Sequence, residues 1–393
     1  MLDRLTAQPP DALLALIKMY AADERADKID LGVGVYRTDA GDTPVFRAVK
    51  GAERVLVEQQ DSKSYLGPEG DHAFVQALMP YVFGREDHDL LQRIEGMQTP
   101  GGTGAVRLAV ALAQQAGVTR IHLGTPSWPN HAQILKDVGL EIATFDHACA
   151  DGTANVDAAL AAIRGAGEGE AILLHGCCHN PTGIDYTAEQ WGQLAEALAD
   201  GKVLPILDIA YQGLGHGMDE DVVGVRKVLA AVPEALVAYS CDKNFGLYRD
   251  RVGAFYMIAK DGEQLPAIAS NANALARANW SMPPDHGGAA VRIALHDEAL
   301  TEQWHEELDE MRERMRGVRR TLAAADNRAP GLNLQALEQQ NGLFAMLPLS
   351  KDQIATLRED HAVYMAGSGR INIAGLHSGN IERFIDALGA VTR

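Results

Sequence analysis

The residues in this chain that are able to do chemistry stand where apolar runs end. Lys243 follows the run 235–239 within Ser240-Cys-Asp-Lys243, and Asp208 closes the run 203–207. A lysine drawn out of water loses basicity and becomes able to serve as nucleophile and as base. A carboxylate at a strand end rises in pKa unless a cation pairs with it. Arg251, Arg277 and Arg370 carry the planar fork that fits carboxylate and phosphate groups. Taken singly, each also fits a plainer part: a capping aspartate, or a solvated surface charge.

Three further segments invite a chemical reading. Thr99-Pro-Gly-Gly-Thr-Gly-Ala-Val opens a helix with a glycine-rich turn, where backbone N–H groups and the helix start favour an anion. It lacks the Gly-Lys-Ser/Thr of a Walker loop. Leu31-Gly-Val-Gly-Val-Tyr has neither the third glycine nor the following helix of a dinucleotide fingerprint. His175-Gly-Cys-Cys-His179 gathers ligand-type side chains, but its spacing suits zinc poorly and no second cluster completes it. A strand end and tight loop explain it better, and no metal is expected.

The elements that must position these residues are legible as a pattern. From about Val45 to Ala259, short apolar runs (120–123, 171–175, 203–207, 235–239, 252–258) alternate with helical spacing at 105–115 and 188–199. This is an α/β order, in which ligands bind outside the carboxyl ends of the strands. A charged amphipathic pattern over 299–325 predicts one long helix, suited to connecting domains. After it come the apolar run 343–347, a helix near 351–361, a strand over 370–374 and a closing helix from Asn380. These read as a small α+β domain, to which the segment before Pro44 also fits.

At 393 residues the chain suits one large domain and a smaller one. Its formal charge of −18 disfavours nucleic acid and anionic lipid as partners, although local arginines still permit an anionic small substrate. The amino terminus shows no apolar signal core, and no uncharged stretch nears the roughly 20 residues of a membrane span. Four cysteines, two of them adjacent (Cys177, Cys178), look like reduced thiols. The expected compartment is the cytoplasm.

Together the segments resemble the fold-type I aminotransferases, and more narrowly the aspartate and aromatic amino acid aminotransferase subgroup. The carriers are Asn180-Pro-Thr-Gly, Asp208-Ile-Ala-Tyr211, Ser240-Cys-Asp-Lys243-Asn-Phe-Gly-Leu-Tyr-Arg-Asp-Arg251 and Ser368-Gly-Arg370-Ile-Asn-Ile-Ala-Gly. Thr125-Pro-Ser-Trp128-Pro-Asn-His131 and Gly176-Cys-Cys-His-Asn-Pro-Thr-Gly-Ile are near word-for-word matches, and the resemblance runs from Asp30 to Leu376. It implies a mostly parallel seven-stranded sheet sandwiched by helices, plus a smaller α+β domain. The expected division is 1–43 as an arm and part of the small domain, 44–310 as the large cofactor-binding domain and 311–393 as the small domain.

The same resemblance implies pyridoxal 5'-phosphate as cofactor, held by Lys243 as a Schiff base, with the released amine moving the proton. It gives Asp208 the pyridine nitrogen, with His131 and His175 behind it, and gives Asn180 and Tyr211 the phenolic oxygen. Trp128 stacks on the ring. Gly102, Thr103, Ser240 and Arg251 hold the phosphate, with Tyr65 from a second subunit. For the substrate it implies Arg370 and Gly34 at the α-carboxylate, with Trp128 and Asn180 also lining that site. Arg277 from the partner subunit takes a distal carboxylate, so the expected assembly is a homodimer with shared active sites. The peptide bonds Thr125-Pro126 and Asn180-Pro181 are expected to be cis by the same analogy.

Departures from the pattern carry their own expectations. Asp242 stands where relatives usually have a phosphate-binding serine, and an anion there should repel a phosphate unless it pairs with Arg249 or another cation. Met282 replaces an asparagine that steadies Arg277, and Trp280 replaces a tyrosine, which points towards aromatic or dual specificity. The expected reaction moves an amino group from aspartate, tyrosine or phenylalanine to 2-oxoglutarate. A lyase or decarboxylase with the same cofactor is disfavoured by the pair Arg277 and Arg370. A regulator with an aminotransferase-like sensor is disfavoured by the lack of room for a DNA-binding module before Asp30. A nicotinamide dehydrogenase fails on the missing fingerprint.

Overall fold

The computed structural model describes residues 2–7 and 12–393; Met1 and residues 8–11, most of them within the N-terminal stretch read for a signal core, lie outside the described residues. Among the described residues eleven strands follow in chain order: β1 (Ile29–Asp30), β2 (Ile94–Pro100), β3 (Arg120–Thr125), β4 (Glu141–Asp146), β5 (Glu170–His175), β6 (Val203–Ile209), β7 (Ala235–Ser240), β8 (Val252–Ile258), β9 (Phe344–Met346), β10 (Val363–Tyr364) and β11 (Arg370–Asn372). The contacts separate two compact units, one formed by the residues up to Thr43 with Arg314–Arg393, the other by Pro44–Glu313.

The larger unit is built on a seven-stranded sheet in the order β2-β8-β7-β6-β5-β3-β4, parallel throughout except that β8 runs against both neighbours. Strands β7 and β8 are buried along their whole length, which is why they read as continuous apolar runs without alternation. Helices cover the sheet. Gly101–Gln115 buries eleven of its residues, and seven of these, including Ala105, Leu108, Ala109 and Leu112, join the main apolar cluster. A helix that is apolar nearly all round has to lie in the core. Ala188–Leu198 starts with a Thr187–Gln190 capping box, each side chain bonding the other residue's backbone N–H.

The smaller unit holds two strand pairs: β1 with β10, parallel, and β9 with β11, antiparallel. Helices Lys351–His361 and Ile381–Thr392 belong to it, and the long helix Glu298–Ala324 contains the boundary between the units. The strand expected over 370–374 ends at Asn372, because a turn of 3-10 helix over Ile373–Gly375 follows. Strand β4, with no fully buried residue in its pattern, gave no apolar run to read.

Candidate active site

Strand register places the chemistry. His175 and Asp208 sit opposite each other at the ends of β5 and β6, and Ser240 closes β7. Lys243 follows three residues later, the helix Gly101–Gln115 starts where β2 ends, and Trp128 caps Pro129–Val138 just past β3. Arg251 precedes the antiparallel β8, so it enters at the same edge. Every one of these positions lies at the carboxyl edge of the parallel strands.

Asp208 is buried and accepts a hydrogen bond from His131 Nε2 at 2.9 Å. Ser127 Oγ bridges His131 Nδ1 at 3.0 Å and His175 Nε2 at 3.1 Å. If His131 donates to Asp208, its Nδ1 accepts from Ser127, which in turn accepts from His175. Burial, followed by the neighbouring His131, pushes His175 down to about 3, so that ring is neutral at ordinary pH. Burial also works to raise the Asp208 carboxyl, but the His131 bond and the nearby cationic groups, Lys243 among them, hold it below its usual range. Asp208 therefore stays an anion. Ser127 was not singled out in the sequence, although it lies inside the Thr125–His131 motif.

The Lys243 amine sits 5.2 Å from the centre of the Tyr211 ring. Burial lowers its pKa against the pull of Asp242 and Asp208, with Arg251 adding to the fall. Asn180 Nδ2 reaches the Tyr211 hydroxyl at 3.4 Å, while Asn180 Oδ1 is buried with no hydrogen-bond partner. Behind Tyr211 the loop is fixed by Asp221, whose carboxylate accepts backbone N–H bonds from Gly213, Gly215 and His216. Cys177, Cys178 and Asp221 also lie within 4.8 Å of one another, but those three bonds already occupy the carboxylate. Both prolines expected to be cis are cis.

Ser240, Asp242 and Arg251 crowd the start of the helix Gly101–Gln115. The helix Gly101–Gln115 has no side-chain cap, so its first N–H groups and its positive end are open. A Cβ on Gly102 would stand 2.8 Å from Ser240 Cβ, and one on Gly101 would stand 2.6 Å from Arg251 Nη2. Only glycine lets the backbone come this close. Asp242 answers the expectation of a cation partner, and that partner is Arg251 itself: Nη1 to Oδ2 is 2.5 Å. Arg251 adopts φ +56°, a left-handed conformation that non-glycine residues keep mainly at constrained sites.

Arg277 is exposed, and its guanidinium donates to Ser281 Oγ at 2.5 Å. The tether expected to be missing with Met282 is thus replaced by Ser281, while the Met282 sulfur accepts the Leu66 N–H at 3.1 Å. Tyr65, the neighbour of Leu66, is 94% exposed. Thr103 is partly buried in the first turn of its helix.

In the smaller unit Arg370 donates to Gly32 O at 2.8 Å and lies 4.4 Å over the Phe344 ring. A Cβ on Gly34 would meet that ring at 2.6 Å. Asn372 holds the loop around Gly34 by donating to the carbonyls of Val33 (2.7 Å) and Val35 (2.8 Å). The sequence motif contained Asn372 without revealing this part.

An open, mostly parallel sheet that gathers a lysine, a buried carboxylate and an uncapped helix start at its carboxyl edge is the architecture of an α/β enzyme. The family model described as aminotransferase class I and II matches residues 26–388. The chain belongs to that family. It is 50% identical over 379 residues to a tyrosine aminotransferase of Rhizobium meliloti (strain 1021), covering 96% of each chain. Identity to an aspartate aminotransferase of Escherichia coli (strain K12) is 40% over 395 residues, covering 100% of both. A solved structure of an aromatic-amino-acid aminotransferase from Burkholderia pseudomallei, covalently bound to pyridoxal phosphate, superposes with a TM-score of 0.96 at 33% identity, covering 100% of both chains.

Proposed function

We propose that this aminotransferase uses pyridoxal 5'-phosphate, carried on Lys243, to move amino groups from aspartate and aromatic amino acids to 2-oxoglutarate. The observation that supports it best is the placement of Lys243: a depressed amine flanked by an ionised Asp208 and an anion cradle. The fit of the cofactor rests on what these residues still need. The Asn180 oxygen is buried without a partner, and the helix start at Gly101 and Gly102 is open towards Ser240 and Arg251.

When bound, the cofactor supplies a protonated ring that accepts the electron pair left at the substrate's α-carbon. Asp208, fixed by His131 with His175 behind it, keeps the ring nitrogen protonated. Asn180 and Tyr211 hold the ring's oxygen, and Trp128 covers one face. Gly102, Thr103, Ser240 and Arg251 receive the phosphate, joined by Tyr65 of a second subunit in a homodimer. The Lys243 amine removes the proton from the α-carbon and returns it elsewhere, a task that suits an amine whose pKa burial has lowered. Arg370 takes the α-carboxylate as a bidentate partner, beside Gly34. Arg277, reaching across from the partner, pairs with the distal carboxylate of aspartate or 2-oxoglutarate.

No helix among the described residues is long and apolar enough to cross a membrane; the compartment proposed is the cytoplasm. The test is a panel of aspartate, tyrosine and phenylalanine as donors with 2-oxoglutarate. Turnover with aspartate and at least one aromatic donor supports dual use. Release of carbon dioxide or ammonia in place of amino transfer contradicts it.

A further inference from the structure

We propose that Asp242 is a proton-carrying ligand of the cofactor phosphate: it gains one proton as the phosphate enters, and cofactor binding weakens as pH rises. The inference rests on the reading of the cradle given above. Asp242 is 2% exposed, and both of its oxygens are engaged inside the cradle. Oδ2 meets Arg251 Nη1 at 2.5 Å, and Oδ1 accepts the Val252 N–H at 3.0 Å. Its own N–H donates to Ser240 Oγ at 3.3 Å. A Cβ on Gly101 would come within 2.8 Å of Asp242 Oδ2, so the carboxylate faces the open helix start directly. Asp242 thus engages the arginine that a phosphate would need.

The charge balance decides what happens when a phosphate arrives. Facing Asp242 are Arg251 on the strand-entry side, and Lys243 and Cys241 on its own turn; the helix start adds no titratable side chain, only the roughly half positive charge of its dipole. A phosphate dianion and a carboxylate together exceed that positive charge. Like charges brought this close raise the pKa of one of them. The carboxyl is the group that yields, since burial already pushes Asp242 above its usual range despite Lys243 and Arg251. Once protonated, it turns from a competitor for Arg251 into an O–H donor to the phosphate, while Arg251 keeps its remaining N–H groups for the same anion. The proton comes from solvent and no bond other than O–H forms.

The experiment titrates the full chain, freed of cofactor, with pyridoxamine 5'-phosphate, whose amine cannot link to Lys243. Calorimetry at pH 7 to 9 in two buffers of different ionisation enthalpy counts the protons taken up; above the second phosphate pKa of about 6 the ligand itself contributes little. The natural chain should take up close to one proton more than Asp242→Asn or Asp242→Ser. Its Kd should rise relative to theirs by up to about tenfold per pH unit. Infrared difference spectra of the natural chain should show a carboxylic-acid C=O band appearing on binding, which keeps the test intact if a variant fails to fold. Equal proton counts, a pH-independent Kd ratio, or no such band overturn the role of Asp242 while leaving the cofactor in place. Failure of the folded natural chain to bind pyridoxamine phosphate at all overturns the cradle reading with it.

Discussion

His131 and Asp208 form an enclosed pair, with Nε2 of the histidine 2.9 Å from Oδ2 of the aspartate and the side chains 0% and 7% exposed. The two residues do unequal work. Asp208→Ala removes the anion proposed to hold the cofactor's ring proton and leaves Lys243 without that counter-charge. Breaking such a buried pair costs about 3–5 kcal/mol, a loss of roughly a hundredfold or more. His131→Phe deletes one hydrogen bond to an anion that Lys243 still faces, and about 1–3 kcal/mol is expected. Single-turnover absorbance changes with aspartate should rank the two losses in that order. Equal losses would show that His131 is as necessary as the carboxylate.

Acid should destabilise the fold through its buried imidazoles. His147 stacks on His179 with ring centres 3.6 Å apart, and its Nε2 lies 2.8 Å from the Ile184 carbonyl, which makes it an N–H donor. Burial pushes His147 down to about 4, below the ordinary value of about 6.5. Between those values the unfolded chain binds a proton that the folded one does not, so stability falls as pH falls through the window. His147→Gln, which can keep the bond to Ile184, should flatten the pH dependence of the urea midpoint. The expected difference is close to one proton, about 1.4 kcal/mol per pH unit between pH 6.5 and 4. Parallel profiles for the two proteins would place the titration elsewhere.

Arg277 offers a test of the substrate reading. Arg277→Ala should cut kcat/KM for aspartate steeply, because it removes the guanidinium proposed to pair with the distal carboxylate. Phenylalanine has no distal charge to lose and should fall much less. Ser281→Ala frees the guanidinium from its 2.5 Å tether and should shift preference the same way by a smaller amount. An equal fall for both donors with Arg277→Ala makes that residue structural.

The sequence revealed most of this where the physics was local. Buried parallel strands such as β6 and β7 announce themselves as apolar runs, and the polar residues at their ends mark the ligand edge. The motifs brought Lys243, Asp208, Tyr211, Asn180 and Arg251 to one edge, and the register of β5 against β6 sets His175 beside Asp208. Contacts set by distant backbone were not legible. Ser127 links two histidines only because β3 and β5 are neighbours. Asp242 could be flagged as an anion in the wrong place, but its capture of Arg251 depends on a left-handed backbone that no residue type announces.

Trp304 shows how stability and the Lys243 turn are joined. It is fully buried, its Nε1–H donates to the Asn244 carbonyl at 2.6 Å, and its ring stacks 4.4 Å from Phe245. Trp304→Phe keeps an aromatic ring but leaves a buried carbonyl short of a donor, for about 1–3 kcal/mol. Trp304→Ala should lose about 3–5 kcal/mol. Urea denaturation measures both, and a neutral Trp304→Phe would show that the Asn244 carbonyl finds another donor.

The central claim is that Lys243 carries the cofactor, and borohydride reduction followed by peptide mapping tests it most directly. The purified protein should absorb near the visible range, lose that band on reduction, and yield a single phosphopyridoxyl peptide labelled at Lys243. Lys243→Ala should show neither the band nor the label, and should lose nearly all turnover. A label on any other lysine, or full turnover by Lys243→Ala, contradicts the account.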